Sequence, residues 1–340
     1  MQTFPILTAG AAALRGLAPA RSLRVLAVFQ RTFYCEGHER ALVCVGPAGI
    51  GAGPLNAIVS LPEGLEWPAL GLSPGAPASS DGRTLRVNGR LCFDLGWACP
   101  WRPAPLIHPV GAPRLAAGLA ALGVALGARP RLEGLGPLIT PLAAPAADLP
   151  DDLPDASLLV RAAWRGIRPL AGWLTRVLHD PAGQAPPPPA ETQGLIGLGP
   201  GLTPSGDDCL GGALIALHAL GARAAADRLG RWVLSRAGDR THRISRGHLA
   251  CAVGGEGAAA LHETLAALCA PGAPDLDRCL DALGRIGHSS GYDALTGVVA
   301  ATRAVAGRTG RSKDLTEPYP RVPAEGRAPA ARLGRATATE

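Results

Sequence analysis

The sequence predicts an α+β protein, with a β-rich N-terminal domain packed on a mainly α-helical C-terminal domain. Three observations carry that prediction. Before residue 100 the apolar text comes in short Val-rich runs bounded by turn residues, as buried strands do. One stretch, "TLRVNGRLCFDL", alternates apolar and polar residues on both sides of Asn88-Gly89 and reads as a β-hairpin with a type I′ turn. Beyond residue 110 the apolar spacing changes to the period of a helix and keeps it to the end of the folded text.

The first strands are "LRVLAVF" (Leu23 to Phe29) and "ALVCVG" (Ala41 to Gly46). "VGPAGIGAGPLNAIV" reads as a glycine-rich turn between strands, with Asn56 a weak candidate to face a ligand. A small-residue helix is expected from Ala112 to Gly127, then a Pro/Ala/Asp-rich connector from Pro137 to Pro154. "ASLLVRAAWRGIRPLAGWLTRVLH" has helical spacing, with Pro169 inside it. Further helices are expected at Asp207–Leu220, Ala222–Ala237, Thr241–Val253, Glu256–Ala270, Leu276–Leu283 and Gly291–Val305. The expected domains are 1–110 (β-rich), 111–154 (helix and connector), 155–307 (helical, carrying glycine-rich motifs) and 308–340 (a disordered basic tail). Trp97, Trp101, Trp164 and Trp173 are expected to anchor packing.

With 340 residues, 47% of them hydrophobic, the chain has material for a sizeable core. The net charge of +6 does not mark a nucleic-acid protein, because the tail from Arg308 holds about half of it and no basic stripe interleaves with aromatics. Eight cysteines lie scattered in apolar text without metal-ligand spacing, so free thiols in a reducing compartment are expected. The longest apolar stretch, Leu115 to Ala128, falls short of the ~20 residues a membrane span needs. Ala18-Pro19-Ala20 faintly echoes a signal-peptidase site, but no basic residue precedes Arg15, so no signal peptide is read and a cytoplasmic protein is expected.

The chemistry is written in "GLGPGLTPSGDD" (Gly197 to Asp208), a glycine-rich loop that feeds an apolar helix. Gly199, Gly201 and Gly206 let the backbone turn tightly and approach a ligand, and Ser205 stands three residues before Asp208 as in a capping box. Unpaired N–H groups at such a helix start suit a phosphate or carboxylate oxygen. Two adjacent aspartates there would repel an anion unless a cation or amide N–H lies between; a well-capped helix uses the same residue types. No lysine follows, so this is not a Walker loop. "GHSSGYDALTG" repeats the theme with Ser289, Ser290, Gly291 and Asp293, which predicts two helix starts converging on one pocket. Between them "THRISRGHL" offers Thr241, His242, Ser245 and His248, the last two sharing a helix face, with His248 the candidate acid or base. Cys209 reads as a small buried hydrophobe rather than a nucleophile.

These three motifs, in this order, resemble the AllH-like family, linked to oxamate carbamoyltransferase; "GPLNAIV" and "FDLGWACPW" extend the likeness more loosely into the first half. The resemblance implies a cytoplasmic bacterial enzyme subunit of purine and allantoin nitrogen catabolism. It would move a carbamoyl group between oxalurate and phosphate, giving oxamate and carbamoyl phosphate, with partner subunits. Cys209, where the family carries a large apolar residue, and the Arg-rich tail depart from it. On this reading Asp207, Asp208 and His248 are catalytic, and Gly199, Gly201, Thr203, Ser205, Gly206, Ser245, Ser289, Ser290, Gly291 and Asp293 bind substrate. No cofactor is certain; Mg²⁺ on the Asp pair, in a phosphotransfer enzyme, is a further expectation. The alternative is a non-catalytic ligand-binding or assembly subunit. The expected partners are a small carboxylate, phosphate or carbamoyl phosphate and other subunits, with no nucleic acid and no membrane.

Overall fold

The computed structural model describes residues 2–307, apart from 38–40, 63, 107–108, 130–131, 145–148, 181–183 and 273–274. The expected basic tail, 308–340, lies outside the described residues. Residues 2–101 form β1 (Gln2–Gly10), β2 (Ala20–Val28), β3 (Phe33–Glu36), β4 (Leu42–Pro47), β5 (Asn56–Val59), β6 (Pro77–Ser80), β7 (Thr84–Val87), β8 (Leu91–Asp94) and β9 (Cys99–Trp101), with one short helix, α1 (Ala11–Gly16). The sheet order β5-β4-β3-β2-β6-β7-β8-β1 closes through β1 against β5, making an eight-stranded mixed barrel, and β9 adds to β1 in parallel. Closure removes the sheet edges that an open sheet would leave unpaired.

Side-chain alternation fills this barrel. Phe4 and Ile6 of β1, Phe33 of β3, Leu85 and Val87 of β7 and Phe93 of β8 all point inward. Trp67, from the β5–β6 connection, packs edge-on against Phe33 at 5.0 Å and Phe93 at 5.8 Å. It is the barrel's tryptophan anchor, whereas Trp97, expected in that role, is 77% exposed on the turn before β9. The hairpin forms as expected: Asn88 and Gly89 take φ of 53° and 64°, and the Arg90 N–H donates to the Val87 carbonyl at 3.2 Å. β1, β3 and β6 were not foreseen, and "NAIV" is itself a strand.

The remaining described residues are mainly helical: α2 (Ala112–Gly127), α3 (Ile139–Ala143), α4 (Leu158–Leu178), α5 (Ser205–Ala219), α6 (Arg223–Ala237), α7 (Arg243–Val253), α8 (Ala259–Cys269), α9 (Leu276–Leu283) and α10 (Ser290–Ala306). The stretch expected to be a plain connector contains α3, because Leu138, Ile139 and Leu142 bury one apolar face in the helical core. Trp164 and Trp173 of α4 are buried there as expected. α5 is apolar nearly all round, which suits its central place against α6, α7 and α10.

Barrel and helices keep separate cores and meet along a small seam of Leu42, Leu55 and Ile244, with Tyr34, Leu202 and Cys251 packed beside them. Polar links cross the same seam. Arg243 of α7 donates to the buried Glu36 carboxylate at 2.8 Å, and the Ala259 N–H donates to the Ala52 carbonyl at 2.8 Å. Among the described residues no helix is long and apolar enough to cross a membrane.

Candidate functional site

α5 and α10 cross with no side chain between them. A Cβ on Gly212 would stand 1.9 Å from the Ala294 carbonyl oxygen, and one on Gly297 would stand 1.8 Å from that of Cys209. Both distances are impossible for any other residue, so glycine sets the spacing. The two contacts are the same contact made twice. "SGDDCLGG" (Ser205 to Gly212) and "SGYDALTG" (Ser290 to Gly297) agree at Ser, Gly, Asp, Leu and Gly, and in that alignment Gly212 matches Gly297 and Cys209 matches Ala294. Gly206 and Gly291 match as well, each pressed on a leucine carbonyl, of Leu195 and Leu283. The helix pair is therefore approximately twofold symmetric, with both N-termini at one end: Thr203 and Ser290 hydroxyls lie 3.1 Å apart.

The symmetry extends across the pair. Ser290 of α10 lies beside Asp208, and Ser205 of α5 lies beside Asp293, each hydroxyl favouring the charged carboxylate. The sequence-predicted residues Thr203, Ser205, Asp208, Ser289, Ser290, Gly291 and Asp293 thus come to one place. Gly199 and Gly201 turn the loop that leads into α5, with φ of 111° and 91°, whereas Gly206 lies inside the helix.

Three aspartates at this end have different surroundings. Asp207 is 1% exposed, and its Oδ1 accepts the Gly197 N–H at 2.9 Å. Its Oδ2 accepts the Ser245 hydroxyl at 2.6 Å and that of Thr241. Asp293, also 1% exposed, accepts the Leu135 N–H at 2.6 Å and the Ser289 hydroxyl at 2.8 Å. Asp208 is different: the residue keeps some exposure, but its Oδ2 is buried and has no hydrogen-bond partner among the described residues. Burial, then the neighbouring Asp293 and Asp207, push its carboxyl well above the usual range, against the help of Ser290 and Thr203. Burial likewise raises Asp293.

Two expectations about the first turn of α5 need correction. Pro204, not a serine, is the N-cap, so Ser205 lies inside the helix and no capping box forms. Two of the N–H groups expected to be free are used: Gly206 donates to the Leu198 carbonyl at 2.9 Å and Asp207 to that of Pro204 at 2.9 Å, while the Asp208 N–H makes the helix's ordinary first bond, to Pro204 at 3.1 Å. The glycine turns fold the loop back onto its own helix, which takes up donors an anion would have received.

His248 lies one turn beyond Ser245 on α7 and is half-buried. Burial pushes its imidazole down to about 4, leaving it neutral at pH 7. His242 is exposed at the N-cap of α7. Asn56 holds the loop before β5, donating to the Gly51 carbonyl at 2.9 Å. Cys209 is fully buried, its thiol raised by burial.

Sequence reasoning missed Gly134, Leu135 and Tyr34. The first two come from the segment between α2 and α3 and close over Asp293. Tyr34, on β3 opposite Cys44, lies near enough to Asp208 for that carboxylate to disfavour its phenolate, after the larger effects of burial and Cys44. No local signal marks any of them. A cavity of about 280 Å³ between Pro137, Leu138, Leu153 and Val160 is a separate feature that none of these side chains lines.

Among the described residues no group of three or more His, Cys, Asp or Glu side chains is placed to hold a metal. Asp207 and Asp293 give their oxygens to N–H and O–H donors, which leaves Asp208 as the one carboxylate with a free oxygen among the three.

Neither a curated protein nor a solved structure matches the chain. Residues 195–302, which run from the glycine-rich loop through most of α10, match the family described as oxamate carbamoyltransferase subunit AllH.

Proposed function

We propose that the chain is a working subunit of an oxamate carbamoyltransferase-like enzyme, acting with partner subunits in the bacterial cytoplasm in purine and allantoin nitrogen catabolism. Phosphate oxygen would attack the ureido carbonyl of oxalurate; the C–N bond would break, and oxamate nitrogen would leave with a proton as carbamoyl phosphate forms. The single observation that carries this reading is Asp208, a buried carboxylate oxygen without a partner at the joint start of two helices, inside the family segment.

Asp208 would hold the ligand's N–H groups, and Thr203 and Ser290 would donate hydroxyl hydrogens to its oxygens. Asp207 and Asp293 serve as positioning residues that fix the loop, α7 and the Leu135 segment around them. His248, neutral at pH 7, has the protonation state of a general base or proton carrier. Gly199, Gly201, Gly206 and Gly291 shape the backbone, and Ser205, Ser245 and Ser289 orient the carboxylates.

A second reading, a ligand-binding or assembly subunit without catalysis of its own, is favoured by the spent N–H groups of α5. Transition-state charge in carbamoyl transfer needs aimed donors, and the first turn of α5 has given most of its own to Leu198 and Pro204. Under that reading partner subunits supply them.

Thermal unfolding with carbamoyl phosphate, phosphate, oxamate and oxalurate in turn tests the site. A ligand at 100 times its Kd adds about 2.7 kcal/mol of stability, so wild type shifts upward and Asp208→Ala does not. No shift with any of the four, with partner subunits present, contradicts the proposal. Turnover by the reconstituted enzyme then separates the readings: Asp208→Ala abolishes it in the first and leaves it measurable in the second.

A further inference from the structure

The outer face of β3 and β4 brings the barrel to the glycine-rich loop. Phe33 and Cys35 point into the barrel, so the alternation of β3 turns Tyr34 outward; on β4, Val43 and Val45 point in, and Leu42 and Cys44 take the outer face. Tyr34 packs on the seam of Leu42, Leu55 and Ile244, and so does Leu202, the residue before Thr203. Its ring also meets Phe29 edge-on at 6.4 Å. Tyr34 keeps some exposure, as Thr203 and Asp208 do, although the seam beside it is buried. Its hydroxyl donates to the Cys44 thiol, which is a weak acceptor, and the phenol lies close enough to Asp208 to feel its charge. Burial keeps that phenol protonated well beyond neutral pH, so it remains a donor. The barrel side of the seam therefore holds a donor with a poor acceptor, where the first turn of α5 has given most of its N–H groups away.

We propose that the barrel takes part in the site through Tyr34, a catalytic residue whose hydroxyl leaves Cys44 to donate to the reacting carbonyl oxygen of the ligand. This rests on the proposed carbamoyl transfer, and it supplies from within the chain a donor that the second reading sought from partner subunits. As phosphate oxygen adds to the ureido carbonyl, the C=O electron pair moves onto oxygen, and the phenol stabilises that charge without losing its proton. When the pair returns, the C–N bond breaks and the proton of phosphate passes to the oxamate nitrogen.

Tyr34→Phe removes one oxygen and keeps the packing ring. In phosphorolysis of oxalurate by the full chain with partner subunits, its kcat is expected to fall by about 100-fold, with KM changed by less than about threefold. Its melting temperature is expected to stay at that of wild type. An unchanged kcat overturns the inference, whether the melting temperature falls, as for a hydroxyl that only braces the seam, or KM rises, as for a contact made equally in the ground state. Should Tyr34→Phe melt lower or not fold, a fluorinated tyrosine at position 34 is followed by fluorine NMR. Carbamoyl phosphate is expected to move its resonance and not that of the same label at Tyr292, whose hydroxyl donates to the Leu280 carbonyl. A resonance at position 34 that does not move overturns the inference. Absence of turnover by wild type overturns the carbamoyl-transfer reading beneath it.

Discussion

The starts of α5 and α10 are built from one pattern, and they differ in what lies over the aspartate. At α10 the segment through Gly134 and Leu135 covers Asp293 and satisfies it; at α5 no described residue donates to Oδ2 of Asp208, and Tyr34 of β3 lies near enough to feel its charge. α10 therefore presents a finished structural joint, and α5 the same joint left open. The comparison separates two roles that residue type alone runs together. A buried aspartate with all its donors is scaffold, whereas its equivalent without one is a place for something else.

The strongest way to break this comparison is to break the helix pair that makes it. Gly297→Val would drive a side chain into the Cys209 carbonyl, and no rotamer relieves a clash with backbone. A loss of about 4 kcal/mol or more is expected, read as a collapse of soluble protein or of the urea midpoint. Next in size is Asp207→Ala, which leaves the Gly197 N–H and two hydroxyls unpaired around a buried hole. Its expected cost is about 3 kcal/mol, measured by denaturant unfolding, and a neutral result would show that Asp207 is not the scaffold residue its partners make it.

A smaller effect follows pH. Burial raises both Asp208 and Asp293, so in the folded chain they hold their protons to higher pH than when unfolded. The stability this gives is full below the ordinary carboxylate range and is lost as pH rises through the raised values. Asp208→Asn removes its share of that loss. The variant should come closest to wild type at low pH and exceed it increasingly as pH rises towards and past 7, in melts across that range. An unchanged pH dependence would mean that Asp208 ionises as an exposed carboxylate does.

Much of this was legible in the sequence, and the rest was hidden for physical reasons. The β7–β8 hairpin could be read because Asn88-Gly89 encodes its turn locally, and α2 and α9 because their apolar spacing is self-contained. Barrel closure could not, since β1 pairs with β5, β8 and β9 across long stretches of chain and its own alternation is short. The Ser-Gly-x-Asp starts of α5 and α10 announced a shared place. Nothing in them announced that Asp207 and Asp208, adjacent in sequence and about 100° apart around the helix, would face such different neighbours. The donor that completes Asp293 comes from Leu135, far earlier in the chain, and a backbone N–H carries no sequence signature.

The measurement that tests the account most directly is the melting temperature, without ligand and at pH 7, of Asp208→Ala beside Asp293→Ala. The account predicts that Asp293→Ala melts well below wild type, by the loss of two donors' partner at about 2–4 °C per kcal/mol. Asp208→Ala should melt at or above wild type, since it removes a buried oxygen that nothing satisfies. Equal destabilisation by the two substitutions would contradict it, because Asp208 would then be a structural joint like its twin.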